Sequence, residues 1–217
     1  MENLNAIIGE AGASLDKTYQ VRESALAHGR ALTRTCANAI RAMHRGEFAE
    51  ARTTLNVARQ ETAAMTTVLH DHPEVFFAGY VQDAHKELAE AECLMALLQN
   101  TLLPEPSEIG VAFPAYLNGL AEAASEGRRS ALDSLRRGDL ERAERLLGKM
   151  DDILSVLTTI DYPDAVTSGL RRTCDSLRAV VERTRGDVTL AVLHNNLLQS
   201  LRQTSEVPMM LPEVESD

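Results

Sequence analysis

Tryptophan is absent from this chain, and only four phenylalanines and four tyrosines occur in 217 residues. Aromatics at 4% leave too few large flat side chains for pleated surfaces, whereas alanine and leucine, strong helix formers, are abundant. That balance argues against a β-rich fold and for packed helices. Cysteine is also scarce. Cys36, Cys93 and Cys174 are odd in number, far apart and without CxxC spacing. A disulfide framework and a thiolate zinc site therefore find no support, and the three read as reduced, buried thiols of an intracellular protein. No run of eighteen apolar residues occurs, and no basic segment followed by an apolar run opens the chain. The expectation is a cytoplasmic protein that neither spans a membrane nor is secreted. GxxxxGK[ST], GxGxxG and GxSxG are missing as well, which leaves P-loop, Rossmann and serine-hydrolase chemistry unsupported. Positive charge is in deficit: 22 basic against 32 acidic residues give a formal charge of -10. The molecule as a whole repels a polyanion, so any nucleic-acid binding has to be local or assisted by metal.

Apolar residues recur at helical spacing over residues 15–44 (Leu26, Leu32, Ala39, Ile40, Met43), and Gly46 supplies a stop. A second helix ends at "HDHP", where Pro73 disfavours helix at His72. A third covers residues 74–102. "LLPEPSEIGVAFP" then reads as a connector, and a fourth helix runs from Pro114, a residue suited to the first turn, to Gly138. Residues 139–160 and 164–185 give a fifth and a sixth on either side of "YPDA". Gly186-Asp187 is expected to separate a seventh over residues 188–201. The similar "RGEFAEA" and "RGDLERA" each combine a glycine stop with an acidic helix start, which explains them without an internal repeat. The chain thus reads as a single helical domain over residues 1–203 with a disordered acidic tail over 204–217.

The acidic residues are the informative ones. At about 100° per residue, Asp83, Glu87 and Glu90 fall within about 60° of one another, while Glu92 points the opposite way, as surface or packing. Glu122 and Glu126, four apart, share a stripe on the next long helix, and Gly119 beside them would allow close approach by a backbone or ligand. Such clusters repel one another unless a cation sits between them, and a hard divalent ion such as Mg2+ prefers carboxylate oxygens. A solvated acidic face is the competing reading. His70 and His72 read as surface residues, His85 lies on a different face from Glu87, and His28, His44 and His194 stand alone.

"HKELAEAECL" followed by "YLNGLAEAASEGRR" resembles the TRAX (translin-associated factor X) branch of the translin family. "GDLERAERLL" and "DYPDAVTSGLRRTCDSLRAVVERTRGDVT" resemble its archaeal-type members, so the likeness runs over residues 21–201. It implies an all-α, translin-like bundle of about seven helices, assembled as a homo-oligomer, an octamer with its sites facing inward. It also implies an endoribonuclease site in which Glu87, Glu90, Glu122 and Glu126 hold Mg2+ (or Mn2+) and act on single-stranded RNA, with single-stranded DNA as a second ligand. Animal TRAX has aspartate where this chain has Glu122. Animal translin carries basic residues where this chain has "FFAGY", so RNA contacts must come from elsewhere. Arg128, Arg129, Arg171, Arg172 and Arg178 are the candidates, with ordinary ion pairing as the alternative for each. Two rival functions share these features: a MazG-type nucleoside triphosphate pyrophosphatase, and a translin-like RNA-binding shell without catalysis.

Overall fold

The structure, a computed structural model, describes residues 3–205. Among these, six long helices and three single turns form the fold, in the order α1 (Leu4–Arg45), α2 (Phe48–Leu69), α3 (Pro73–Phe76), α4 (Gly79–Gln99), α5 (Pro106–Ile109), α6 (Phe113–Arg136), α7 (Leu140–Leu157), α8 (Asp164–Thr167) and α9 (Leu170–Ser205). Helix α4 is the axis: it packs against α6, α1 and α2, while α6 also packs against α7 and α9. Its apolar surface is accordingly not confined to one stripe, and residues 91–98 are buried all round. One continuous core results, running from Ala25 on α1 to Val181 on α9.

The stops fall where the sequence places them. Gly46 adopts φ 81°, and the amides of Gly46 and Glu47 close α1 onto the carbonyls of Met43 and Ala42. Pro73 and Pro114 sit in the first turns of α3 and α6. Asp139 caps α7 by accepting a hydrogen bond from the Arg142 amide (3.0 Å).

Three boundaries differ from expectation. The first helix begins at Leu4 rather than near residue 15, although burial on it starts only at Ala25. Its first five turns therefore extend beyond the core with Leu4, Ile7, Ile8 and Leu15 exposed. The third helix is split into α3 and α4. The sixth loses its first turn to α8, cut off by Ser168 and Gly169 at positive φ, and the remainder is one helix with the seventh, because α9 runs unbroken through Gly186 and Asp187. An interior glycine costs a helix only about 1 kcal/mol, and packing on both sides outweighs that: Val181, Thr184 and Val188 are buried. Arg128 also reaches across from α6 to donate to Thr184 Oγ1 (3.0 Å) and to pair with Asp187 (2.8 Å). Of the expected acidic tail, Thr204 and Ser205 belong to α9, and residues 206–217 lie outside the described residues.

All three cysteines are free and buried, as expected of reduced thiols. Burial raises each thiol pKa, that of Cys93 to about 12. Among the described residues no helix is long and apolar enough to cross a membrane.

Candidate metal centre

The site is set by how closely α4 and α6 approach. A Cβ placed on Gly119 would lie 2.6 Å from the Lys86 carbonyl oxygen and 2.8 Å from the Glu90 amide nitrogen. Only glycine admits that contact. Ala89, Ala121, Ala123 and Ala124, all buried, continue the close packing on either side. The carboxylates of α4 are thereby brought over those of α6.

Glu87, Glu90 and Glu122 converge: each offers one carboxylate oxygen, and the three oxygens lie within 4.8 Å of one another. All three side chains are half-buried. The cluster is electrostatically unfavourable as it stands. Burial, followed by the charges of Glu87, Glu122 and Glu126, pushes the Glu90 carboxyl from 4.5 up to about 8. Glu87 is also raised, by burial first and against the opposing pull of Lys86. Three hard oxygen donors in a half-buried setting that resists their ionisation suit a divalent cation, with room for water in the remaining positions. Asp83 shares their face of α4 but is exposed and outside this group.

Glu126 stands apart. Its Oε1 lies 2.5 Å from His44 Nε2, on the last turn of α1, and the His44 side chain is only 3% exposed. That hydrogen bond, opposed by burial and aided by the charges of His44 and Arg129, holds the Glu126 carboxyl below its ordinary pKa. The structure thus brings together three of the four expected glutamates and ties the fourth to a histidine. His44, 82 positions earlier in the chain, carried no local signal that sequence spacing could detect.

Lys86 supplies a counter-charge from the same helix. It lies off the acidic stripe of α4, yet its Nζ donates to Glu122 Oε1 on α6 at 2.8 Å. Burial disfavours its charge, but the hydrogen bond and charge of Glu122 outweigh this and raise its pKa. Glu92 faces away from the site as expected, in packing rather than at the surface. It is buried and receives both a hydrogen bond from Arg59 Nε and one from Arg59 Nη2 (2.7 Å). His85 is fully buried, with Phe76 edge-on and neither ring nitrogen hydrogen-bonded. Burial depresses its pKa to about 4.

The five candidate arginines separate into two groups. Arg128, Arg171 and Arg178 pair with Asp187, Asp161 and Asp175. Arg129 and Arg172 are exposed and have no ion pair among the described residues. Arg129 lies beside Glu126, and Arg172 in the cleft next to Glu122. The "FFAGY" segment presents no cation: Phe76 and Phe77 pack edge to face, and Tyr80 lies under the Arg22 guanidinium.

No family model matches the chain. It is 29% identical over 205 residues to an uncharacterized protein of Methanocaldococcus jannaschii, covering 94% of this chain and 89% of that one. Among solved structures, AfC3PO, a translin/TRAX-family protein, superposes with a TM-score of 0.80 in its complex with duplex RNA and 0.79 in its crystal structure. The match is 30% identical and covers 86% of this chain and 97% of AfC3PO. The chain belongs to the translin/TRAX family. Apo-NeC3PO, at 17% identity and a TM-score of 0.76 over 85% of this chain and 96% of its own, adds agreement in fold. For a translin/TRAX chain, the all-α bundle expected from the sequence is the one observed.

Proposed function

We propose that this translin/TRAX protein is a divalent-metal-dependent endoribonuclease that cleaves single-stranded RNA. The observation that carries the reading is the convergence of Glu87, Glu90 and Glu122 across the α4/α6 contact. These residues would hold Mg2+ or Mn2+, which supplies Lewis-acid polarisation of a phosphoryl oxygen and a more acidic water. Glu126 has one oxygen held by His44 and stays ionised, so it is positioned to accept a proton from an attacking water. Arg129 and Arg172, the two of the five candidate arginines without an ion pair among the described residues, hold backbone phosphate on either side of the carboxylates. Arg128, Arg171 and Arg178, first read as RNA contacts, act mainly through their aspartate partners.

RNA as the ligand is supported by the complex of AfC3PO with duplex RNA. Assembly as a homo-oligomer is supported by apolar stripes left uncovered on two helices, Leu4, Ile7, Ile8 and Leu15 on α1 and Leu190, Leu193, Leu197 and Leu201 on α9, and the octamer is what the family resemblance implies. Family membership removes the sequence basis for the MazG-type pyrophosphatase. The RNA-binding shell without catalysis is separated by experiment. Purified protein is incubated with end-labelled single-stranded RNA, duplex RNA and single-stranded DNA, with Mg2+ or EDTA, and products are resolved on a gel. Cleavage of single-stranded RNA in Mg2+ alone supports the proposal. Binding without any Mg2+-dependent cleavage identifies the non-catalytic shell.

A further inference from the structure

A cleft of about 410 Å3 opens between α4, α6 and the start of α9, beside the carboxylates. Its cations are Lys86 and Arg172, and its acids are Asp83 and Glu122. Hydroxyl and amide side chains, including Gln82, Ser125 and Thr173, make up much of the rest, and no aromatic residue lines it. A nucleobase would find no ring to stack on there, whereas a phosphodiester and its ribose would find charge and hydrogen-bonding groups. The cleft therefore suits the backbone of a strand, irrespective of sequence.

The two cations are not equivalent. The Arg172 side chain is exposed and has no hydrogen-bond or ion-pair partner among the described residues. Lys86 is committed to Glu122 Oε1 at 2.8 Å, an oxygen on one of the three carboxylates assigned to the divalent ion. An ammonium and a divalent cation on the same carboxylate repel strongly at such separations. That repulsion weakens the hold of Lys86 on Glu122 when the ion binds, and its four-carbon stem can swing without backbone movement. The cleft that Lys86 already lines is where the ammonium can go.

We propose that Lys86 is an exchangeable counter-charge, resting on Glu122 while the carboxylates are free of metal and turning into the α4/α6/α9 cleft beside Arg172 to bind backbone phosphate once a divalent cation takes Glu122. The inference rests on the metal-dependent nuclease reading and adds to it a phosphate subsite and a coupling between ion and strand. Each ligand strengthens the other by the same factor. The free protein holds its ion weakly because Lys86 competes, and the RNA complex holds it tightly because phosphate now receives Lys86.

The test measures three quantities on the full chain: Mg2+ affinity by calorimetry without RNA, affinity for a fluorescein-labelled single-stranded RNA by anisotropy in EDTA, and KM for its cleavage in Mg2+. Lys86→Gln is expected to bind Mg2+ about tenfold more tightly than the parent. It should bind RNA in EDTA within about twofold of the parent, and its KM in Mg2+ should rise about tenfold. Arg172→Gln should leave Mg2+ affinity within about twofold while weakening RNA binding with and without metal. Arg145→Gln, the same charge change on α7 where Arg145 pairs with Glu141, should match the parent throughout. If Lys86→Gln fails to fold by circular dichroism, Lys86→Met is used and the same outcomes apply. The inference is overturned if the Lys86 variant binds Mg2+ no more tightly than Arg145→Gln, or loses RNA affinity equally in EDTA and Mg2+. A parent that binds and cleaves normally beside an unaltered Lys86 variant sinks the inference alone. A parent that neither binds Mg2+ nor cleaves RNA sinks the nuclease reading and the inference together.

Discussion

Replacing Glu90 by Gln removes the carboxylate whose ionisation the metal-free fold opposes most. Burial and the charges of Glu87, Glu122 and Glu126 raise its pKa from 4.5 to about 8. Because the folded value is the higher one, the protonated carboxyl contributes its full stability below the unfolded pKa, and that contribution is lost as pH rises through the folded pKa. At about 1.4 kcal/mol per factor of ten, the whole interval corresponds to at most about 5 kcal/mol. Partial exposure and relaxation of the half-buried cluster reduce this, and about 2 kcal/mol between pH 5 and pH 8 is expected. Gln mimics the protonated carboxyl and cannot ionise. Urea unfolding of parent and Glu90→Gln in EDTA, at one fixed protomer concentration, should give stabilities within about 0.5 kcal/mol of each other at pH 5 and a variant about 2 kcal/mol more stable at pH 8. Saturating Mg2+ should reverse the order, because only the parent gains ion-binding energy. A difference that is the same at both pH values, or a variant less stable in EDTA at pH 8, would refute the electrostatic account of the cluster.

Gly119→Ala places a methyl group where two backbone atoms and the Ala89 Cβ already lie within 2.8 Å. It should cost about 3 kcal/mol or more and lower the calorimetric Tm accordingly. Arg59→Ala leaves the Glu92 carboxylate buried without its partner and should cost about 2–4 kcal/mol in urea, a penalty that Glu92→Met on the same background should largely relieve. His85 has a folded pKa of about 4, below its ordinary 6.5, so stability should fall as pH drops from 6.5 toward 4, and His85→Met should flatten that part of the pH–stability curve. His44→Leu should leave Mg2+ affinity unchanged in calorimetry while lowering kcat more than it changes KM, because it frees Glu126 without touching the three converging glutamates.

Much of the fold was legible because its signals are local. Gly46, Gly138, Pro73 and Pro114 punctuate helices through backbone preferences that a neighbour rarely overrides. Gly186 does not end its helix for the complementary reason: an interior glycine only weakens a helix, and Arg128, 58 positions away from Gly186 by the numbering, fastens this stretch through Thr184 and Asp187. At the site, helical spacing placed Glu87 with Glu90 and left Glu92 facing away. It could not show that Gly119 seats α6 against the Lys86 carbonyl, which is what carries Glu122 to the pair on α4. The partners of the outlying charges were equally hidden. Lys86 meets Glu122 and His44 meets Glu126 between helices, through contacts with no trace in either helix's own periodicity. The sorting of the arginines into paired and unpaired likewise depends on aspartates brought near by the fold.

The central claim is that α4 and α6 jointly hold a divalent cation, and crystals soaked in Mn2+ test it most directly through anomalous scattering. A peak within bonding distance of carboxylate oxygens from Glu87, Glu90 and Glu122, with Lys86 moved off Glu122 and His44 still on Glu126, is the expected result. No peak between those three glutamates at a Mn2+ concentration that supports RNA cleavage, or a peak held only by residues elsewhere on the surface, would contradict it.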